Sequence, residues 1–347
     1  MKRLLHILLS LTLLLLPLKG AASSSSDADK PLDINEYIFG HIGDAYGWHI
    51  TTVNEHHISL HLPVILHSKT SGWHVFSSKH IEEGEPYEGF HLNADGKLVE
   101  TAADGSEVRP LDLSITKNVL SLFINSLLLI LIVLVCAGWY RRHDATKEAP
   151  RGFVGVIEML INMVYDDIIK PCVGEDYKRY TPYLLTAFFF IFFNNLMGIV
   201  PFFPGGANLT GNIAITFVLA ICTFLAINLF GNKHYWKDIL WPDVPTWLKV
   251  PIPLMPAIEI IGMFTKPFSL MVRLFANILA GHVMLLGVVA VVFLTAKLGI
   301  GLNAGLSAIS VLFGVFMDIL EMLVAFIQAY VFTMLSSVFI GMSRQHA

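Results

Sequence analysis

The stretch Phe268-Ser-Leu-Met-Val-Arg273-Leu-Phe-Ala-Asn277-Ile-Leu-Ala-Gly-His282 threads polar side chains through a segment, from about Ile252 to Leu298, in which nearly everything else would be at home in hydrocarbon. An arginine side chain stays protonated at any physiological pH, and its charge at mid-bilayer costs from about 2.5 to over 10 kcal/mol. A residue that expensive is retained for function, facing another protein surface or a water-filled path. The bland alternative is an arginine that snorkels to the headgroups. Arg273 lies well inside the apolar run rather than at its end, which argues against it.

Composition places most of the chain in the same medium. Of its 347 residues 54% are hydrophobic and 14% charged, with a mean hydropathy of +0.63, the profile of a polytopic membrane protein. The net charge of -4 is small and dispersed, which excludes a nucleic-acid partner. Residues 1–22 pair a cationic start, Lys2 and Arg3, with a short apolar core that ends in Gly20-Ala-Ala22, the pattern of a cleaved secretory signal. A retained first anchor is the alternative, and with either one the segment that follows is exported. Cys136, Cys172 and Cys222 all lie beyond that segment, so no disulfide framework is implied.

Residues 23–112 read as a polar extracytoplasmic region. A Ser- and Asp-rich linker opens it, and alternating stretches such as His57-Ile-Ser-Leu-His-Leu-Pro-Val-Ile-Leu66 suggest a small β-rich unit with turns at Asn93-Ala-Asp-Gly96 and Ala103-Asp-Gly105. Nine histidines crowd it: His41, His49, His56, His57, His61, His67, His74, His80 and His91. Imidazole ligates metals and titrates near pH 6.5, so zinc binding or proton buffering is one reading. Only His57 and His61 have simple helical spacing, in a stretch that reads as strand, so surface polarity is the default and no metal site is assigned.

Residues 113–347 form the membrane domain. Val119 to Trp139 is long enough to cross, and the Trp139-Tyr-Arg-Arg142 that closes it puts this end in the cytoplasm by the positive-inside rule. Phe153 to Ile169 intersperses apolar positions (Val156, Ile157, Leu160, Ile161, Val164) with Glu158, Asn162, Asp166 and Asp167, as an amphipathic surface helix does, with Pro171 and Glu175-Asp-Tyr-Lys-Arg179 expected to end it. Tyr183 to Phe203 and Ile213 to Phe230 form two further spans. After a proline-studded loop from Pro242 to Pro256 come two very long apolar segments, 257–297 and 306–342. Forty helical residues extend about 60 Å, twice the hydrocarbon thickness, so these helices must tilt, bend or lie nearly flat. Gly262, Pro267 and Gly281 are available for bending.

A helix turns about 100° per residue, so Ser269, Arg273 and Asn277 share one stripe with Glu259 about 40° off it, while His282 falls about 180° away. Glu321 and Gln328 share a face of the last helix, with Asp318 nearby. A hairpin folded at about residue 300 sets Arg273 level with Gln328, and His282 level with Asp318 and Glu321.

The long strings Ser269-Leu-Met-Val-Arg273-Leu-Phe-Ala-Asn277-Ile-Leu-Ala-Gly-His282 and Ile319-Leu-Glu321-Met-Leu-Val-Ala-Phe-Ile-Gln328-Ala-Tyr-Val-Phe, in that order, resemble subunit a of the F-type ATP synthase. The resemblance runs from about Leu113 to the C-terminus. It implies an all-α polytopic membrane protein of the bacterial inner membrane. Five helices cross, the last two long and strongly tilted around a ring of c subunits. By composition and periodicity, one amphipathic surface helix and a small polar, β-containing N-terminal region that lies outside the resemblance complete the architecture, with the N-terminus outside and the C-terminus in the cytoplasm. The implied partners are the c ring, subunit b of the peripheral stalk, other ATP synthase subunits and membrane lipid, and the resemblance implies no cofactor.

By the same resemblance Arg273 separates two proton half-channels, and His282 with Glu321 relays protons in the outer one. Asn277 and Gln328 position Arg273 or water, and Glu259 matches an acid near the cytoplasmic outlet. Ser269, Asp318, Asn194 and Asn195 are accessory candidates. Gly198 departs from the family, lying where some bacterial relatives carry an aspartate, which leaves Asn194 and Asn195 to serve the channel entrance. For each polar residue the plain alternative is helix packing. Rival classes lack their signatures. A secondary transporter would show a repeated half and discontinuous helices, and a membrane hydrolase a nucleophile with its base or a metal motif. No Gly-x-x-x-x-Gly-Lys-Ser/Thr loop is present either, so nucleotide chemistry belongs elsewhere in such an assembly.

Overall fold

The computed structural model describes residues 43–344, apart from 54–55, 83–85, 94–95, 102–105, 145–146, 201–202, 242–253 and 296–299. The signal segment and residues 242–253 of the expected proline-studded loop fall outside the described residues, whereas Pro256 lies in the first turn of the helix Leu254–Thr295.

The alternating N-terminal stretches form three small antiparallel sheets. β1 (Gly47–Val53) pairs with β2 (His56–His61). β3 (Pro63–Ser68) lies between β4 (Gly72–Ser77) and, further along, β8 (Leu111–Asp112), and β5 (Phe90–Leu92), β6 (Leu98–Thr101) and β7 (Glu107–Val108) make the third. The period of two explains the core: Val64 and Leu66 point inward from β3 and meet Phe76, Ile81, Phe90 and Leu98. Several histidines are tied into this unit. His74 Nδ1 stands 2.6 Å from Glu88, His91 Nε2 3.4 Å from Glu107, and His80 stacks on Tyr87.

The β unit is latched to the first membrane helix, α1 (Lys117–Arg142). Asp44 accepts from the Asn118 amide (3.1 Å) and from the Thr116 hydroxyl (2.8 Å), and the Ala45 carbonyl accepts from the Lys117 amide (2.8 Å). These partners satisfy amides that a helix start leaves open, and Asp44 puts negative charge at the positive end of the dipole. Trp48, buried, sets its ring edge-on to Phe203 in the loop beyond α3, with centroids 5.0 Å apart.

Among the described residues, four helical stretches are long and apolar enough to cross a membrane, or five if a bent pair counts as one span. α1 is the first. α2 (Phe153–Asn162) opens the second, then passes through a π-helical turn, Met163–Ile169, and a short α-helical piece, Lys170–Val173, before α3 (Tyr177–Ile199). The expected stop at Pro171 does not occur. Pro171 sits inside the continuous helical stretch, one residue into Lys170–Val173, where it lacks the N–H that would continue the ladder the Lys170 amide makes to the Tyr165 carbonyl. The direction changes instead at Gly174, whose φ of 78° suits glycine. Of the apolar positions on the expected amphipathic helix, Val164 is buried in the chain's own core together with Ile168 and Ile169, while Val156 is exposed, open to a membrane or a partner. α4 (Ile213–Leu229) and α5 (Lys233–Leu240) form the bent pair, at 100°.

The two very long apolar segments are single helices, α6 (Leu254–Thr295) and α7 (Ile300–Arg344), of 42 and 45 residues. One core joins them to α3 and α4: Leu270, Leu274 and Ile278 of α6, Ala329 and Phe332 of α7, Leu184, Phe188 and Ile191 of α3, and Ile227 of α4. Inside it a hydroxyl chain links three helices, Tyr183 to Thr223 at 2.8 Å and Thr223 to Ser336 at 3.3 Å. The end of α7 is clasped by Arg344, whose Nε donates to Asp176 (2.7 Å) and whose NH1 donates to the Phe230 carbonyl (2.9 Å).

Candidate functional site

The antiparallel packing of α6 on α7 brings two ionisable side chains together inside the helices. Nδ1 of His282 stands 2.8 Å from Oε1 of Glu321, with the side chains 13% and 5% exposed. The angle at this contact is poor, and both carboxylate oxygens lack an aligned hydrogen-bond donor among the described residues. Two glycines make the room. At Gly281 an added Cβ would come within 3.3 Å of Glu321 Oε1, and at Gly198 on α3 within 3.5 Å of His282 Nε2. The site therefore lies where three helices approach closely.

Beside the pair opens a cavity of about 360 Å³ whose wall includes Asn277, Gly281, Met284, Glu321, Val324 and Gln328. Gln328 is buried while Asn277 is exposed, so the cavity runs from the buried carboxylate to the outer stripe of α6. On that stripe Ser269, Arg273 and Asn277 are all exposed, and the opposite face of the helix, Leu270, Leu274 and Ile278, is buried. Arg273 has no hydrogen-bond or ion-pair partner among the described residues. The expected level of Arg273 with Gln328 thus does not become a contact. Glu259, further along α6, is half-buried. Asp318 is also half-buried, and Glu321 rather than Asp318 meets His282.

Asn194 and Asn195 are both buried, and each reaches a different neighbour. The Asn194 carbonyl oxygen accepts from Asn125 of α1 at 3.0 Å. Asn195 accepts from the Thr210 hydroxyl, and its amide reaches toward the Ala325 carbonyl on α7 at 3.5 Å, one turn from Glu321. Sequence reasoning missed the α1 half of this seam. Asn118, Ser121 and Asn125 are buried on one face of a helix whose other faces are largely bare leucine, isoleucine and valine. Their spacing of three and then four in an apolar run was the available signal. Among the described residues, no three His, Cys, Asp or Glu side chains cluster as metal ligands.

Fold and site together define a polytopic membrane protein that keeps titratable groups inside its spans, a feature typical of ion pathways and proton relays. The family model for the ATP synthase A chain matches residues 122–341, and a model described as a domain of unknown function (DUF8433) matches residues 37–115. The chain is 38% identical over 250 residues to ATP synthase subunit a 2 of Chlorobaculum tepidum, covering 70% of this chain and 66% of that one. It is 36% identical to ATP synthase subunit a of Chlorobium phaeobacteroides (80% and 83% covered) and 42% identical to that of Myxococcus xanthus (67% and 74%). The chain belongs to the ATP synthase A chain family, a membrane-sector component of a complex in which other subunits carry out the catalysis.

Proposed function

We propose that this chain is the stator of the ATP synthase membrane sector, providing two proton half-channels and the arginine barrier that couple proton flow to rotation of a c ring. One observation carries the reading: Arg273 is exposed and has no hydrogen-bond or ion-pair partner among the described residues, on a stripe with Ser269 and Asn277, while the His282 and Glu321 pair is buried on another face of the same helix. An intramembrane guanidinium is too costly to leave against lipid, so this stripe needs a partner carrying negative charge.

A carboxylate on a passing rotor helix answers that need. A fixed cation favours its ionised form, and at an effective dielectric of about 20 unit charges about 4 Å apart attract by roughly 4 kcal/mol. That strength releases the rotor's proton yet lets rotation break the contact, against a drive of about 2.3 kcal/mol per proton per 100 mV. The same cation repels hydronium and keeps the two half-channels apart. Protons entering from the side of the β unit pass through His282 and Glu321, reach the cavity bounded by Gln328 and Asn277, and load the rotor. They leave past Glu259 on the other side. This reading puts the N-terminus outside the bacterial inner membrane and the C-terminus in the cytoplasm, with subunit b as a further partner.

Arg273→Ala tests it. In the assembled complex the variant should abolish ATP-driven acidification of membrane vesicles while the subunits still co-purify. Persisting acidification would refute the assignment.

A further inference from the structure

A second cavity, of about 520 Å³, lies at the far end of α1 from the β unit and is walled by Trp139, His143, Lys147, Glu148, Ala149 and Arg151. It occupies the corner between the end of α1 and the start of α2. We propose that it binds the phosphodiester headgroup of an anionic membrane phospholipid. The proposal is independent of the proton path.

Charge is the first argument. Between residues 141 and 151 four cations, Arg141, Arg142, Lys147 and Arg151, are interspersed with two carboxylates, Asp144 and Glu148, and a third carboxylate, Glu158 of α2, is engaged by Tyr140. Lys147 stands 3.4 Å from Asp144, but both side chains are largely exposed, and such pairs are weak. Lys147 therefore remains free to turn to a phosphate. Glu148 is the one carboxylate on the wall, outnumbered there by Lys147 and Arg151.

The second argument is the start of α2. Its cap residue is Gly152, no side chain among the described residues caps its first amides, and no acid lies in its first turn. The helix thus presents uncompensated N–H groups and the positive end of its dipole toward the corner. The preceding loop closes tightly over it: a Cβ on Gly155 would come within 2.7 Å of the Pro150 carbonyl.

Position distinguishes a lipid from a free anion. The cavity sits where an apolar span ends, and its wall includes an aromatic of the interfacial type. Trp139 stacks on His143, with centroids 4.7 Å apart and planes 9° from parallel, and His143 Nδ1 donates to the Trp139 carbonyl at 3.1 Å, which fixes the ring. Leu131 and Val135 precede Trp139 at spacings of eight and four, so all three share a stripe, and both aliphatic side chains are exposed. An acyl chain can follow that stripe while its headgroup enters the cavity. Inorganic phosphate shares the headgroup's charge but has nothing to lay on the stripe.

The test uses the assembled complex in nanodiscs of phosphatidylcholine doped with phosphatidylglycerol, with native mass spectrometry reading the lipids retained. Wild-type complex should hold a phosphatidylglycerol that the double variant Lys147→Gln, Arg151→Gln releases, with apparent affinity falling about thirtyfold at roughly 1 kcal/mol per basic residue. Arg109→Gln, an exposed cation of the β unit, should leave retention unchanged, and the charge-preserving pair Lys147→Arg, Arg151→Lys should keep the lipid. Equal retention in wild type and double variant would overturn the proposal. So would displacement of the lipid by inorganic phosphate, equally tight retention of phosphatidylcholine, or cross-linking of the corner to an acidic segment of another subunit.

Discussion

Gly281→Ala separates the geometry of the relay from the stability of the helix that carries it. Inside a helix, alanine is favoured over glycine by about 1 kcal/mol, so the substitution should not weaken α6. The added Cβ would stand at an ordinary 3.6 Å from Glu321 Cδ but 3.3 Å from its Oε1, tighter than most Cβ contacts, so the carboxylate oxygen must give way by a few tenths of an ångström. It moves from a position 2.8 Å from His282, and the cavity beside it gives the carboxylate space to shift away from the imidazole. Misplacement by about 1 Å costs roughly 100-fold in positioned chemistry, so about 0.3 Å corresponds to roughly a fourfold loss. The assay is passive proton uptake into vesicles carrying the membrane sector, driven by a potassium diffusion potential, beside thermal unfolding of the same preparation. Glu321→Gln sets the lower limit of flux and should slow it more than Asn277→Ala does. The expected result is flux reduced about fourfold with the unfolding temperature held or raised. Unchanged flux in Gly281→Ala, or equal effects of Glu321→Gln and Asn277→Ala, would refute the reasoning.

The Asn125–Asn194 hydrogen bond between α1 and α3 should be worth about 0.6 to 1.7 kcal/mol, the span found for interhelical bonds in membranes. A double-mutant cycle of Asn125→Ala and Asn194→Ala, read by denaturant unfolding in detergent, should give a coupling energy in that range, and additive effects would exclude the bond. The β unit should loosen at both extremes of pH. Hydroxyls of Ser68 (2.5 Å) and Thr70 (2.6 Å) hold the Glu100 carboxyl below the usual glutamate range, so its contribution is complete above that range and is lost as pH falls through the lowered native value. Burial, and then the Asp112 carboxylate at 2.5 Å, push the Tyr46 phenol above its ordinary value near 10. The contribution of Tyr46 is complete below pH 10 and is lost as pH rises through the raised native value. Hydrogen exchange of β3 and β6 amides in the intact protein should follow both limbs, and Ser68→Ala with Thr70→Ala should flatten the acid one.

Much of this protein was legible in one dimension because a bilayer constrains a sequence severely. Only long apolar helices satisfy their backbone there, so the spans, the excess length of α6 and α7, and the cost of Arg273 follow from composition and spacing. Counting residues either side of the connection near residue 300 already set His282 level with Glu321, and the backbones bring them to 2.8 Å. What tertiary structure decided depends on which faces meet. Arg273 is left without a partner among the described residues, Gln328 turns into a cavity with Glu321, and Glu321 is chosen over Asp318, because burying Leu270, Leu274 and Ile278 fixes the rotation of α6. The seam from Asn118 to Asn125, the passage of the helix through Pro171 and the latch of Asp44 on α1 arise the same way. Hydrophobic periodicity reports that a face is apolar and says nothing of its neighbour, and close packing between segments far apart in the chain supplies the rest.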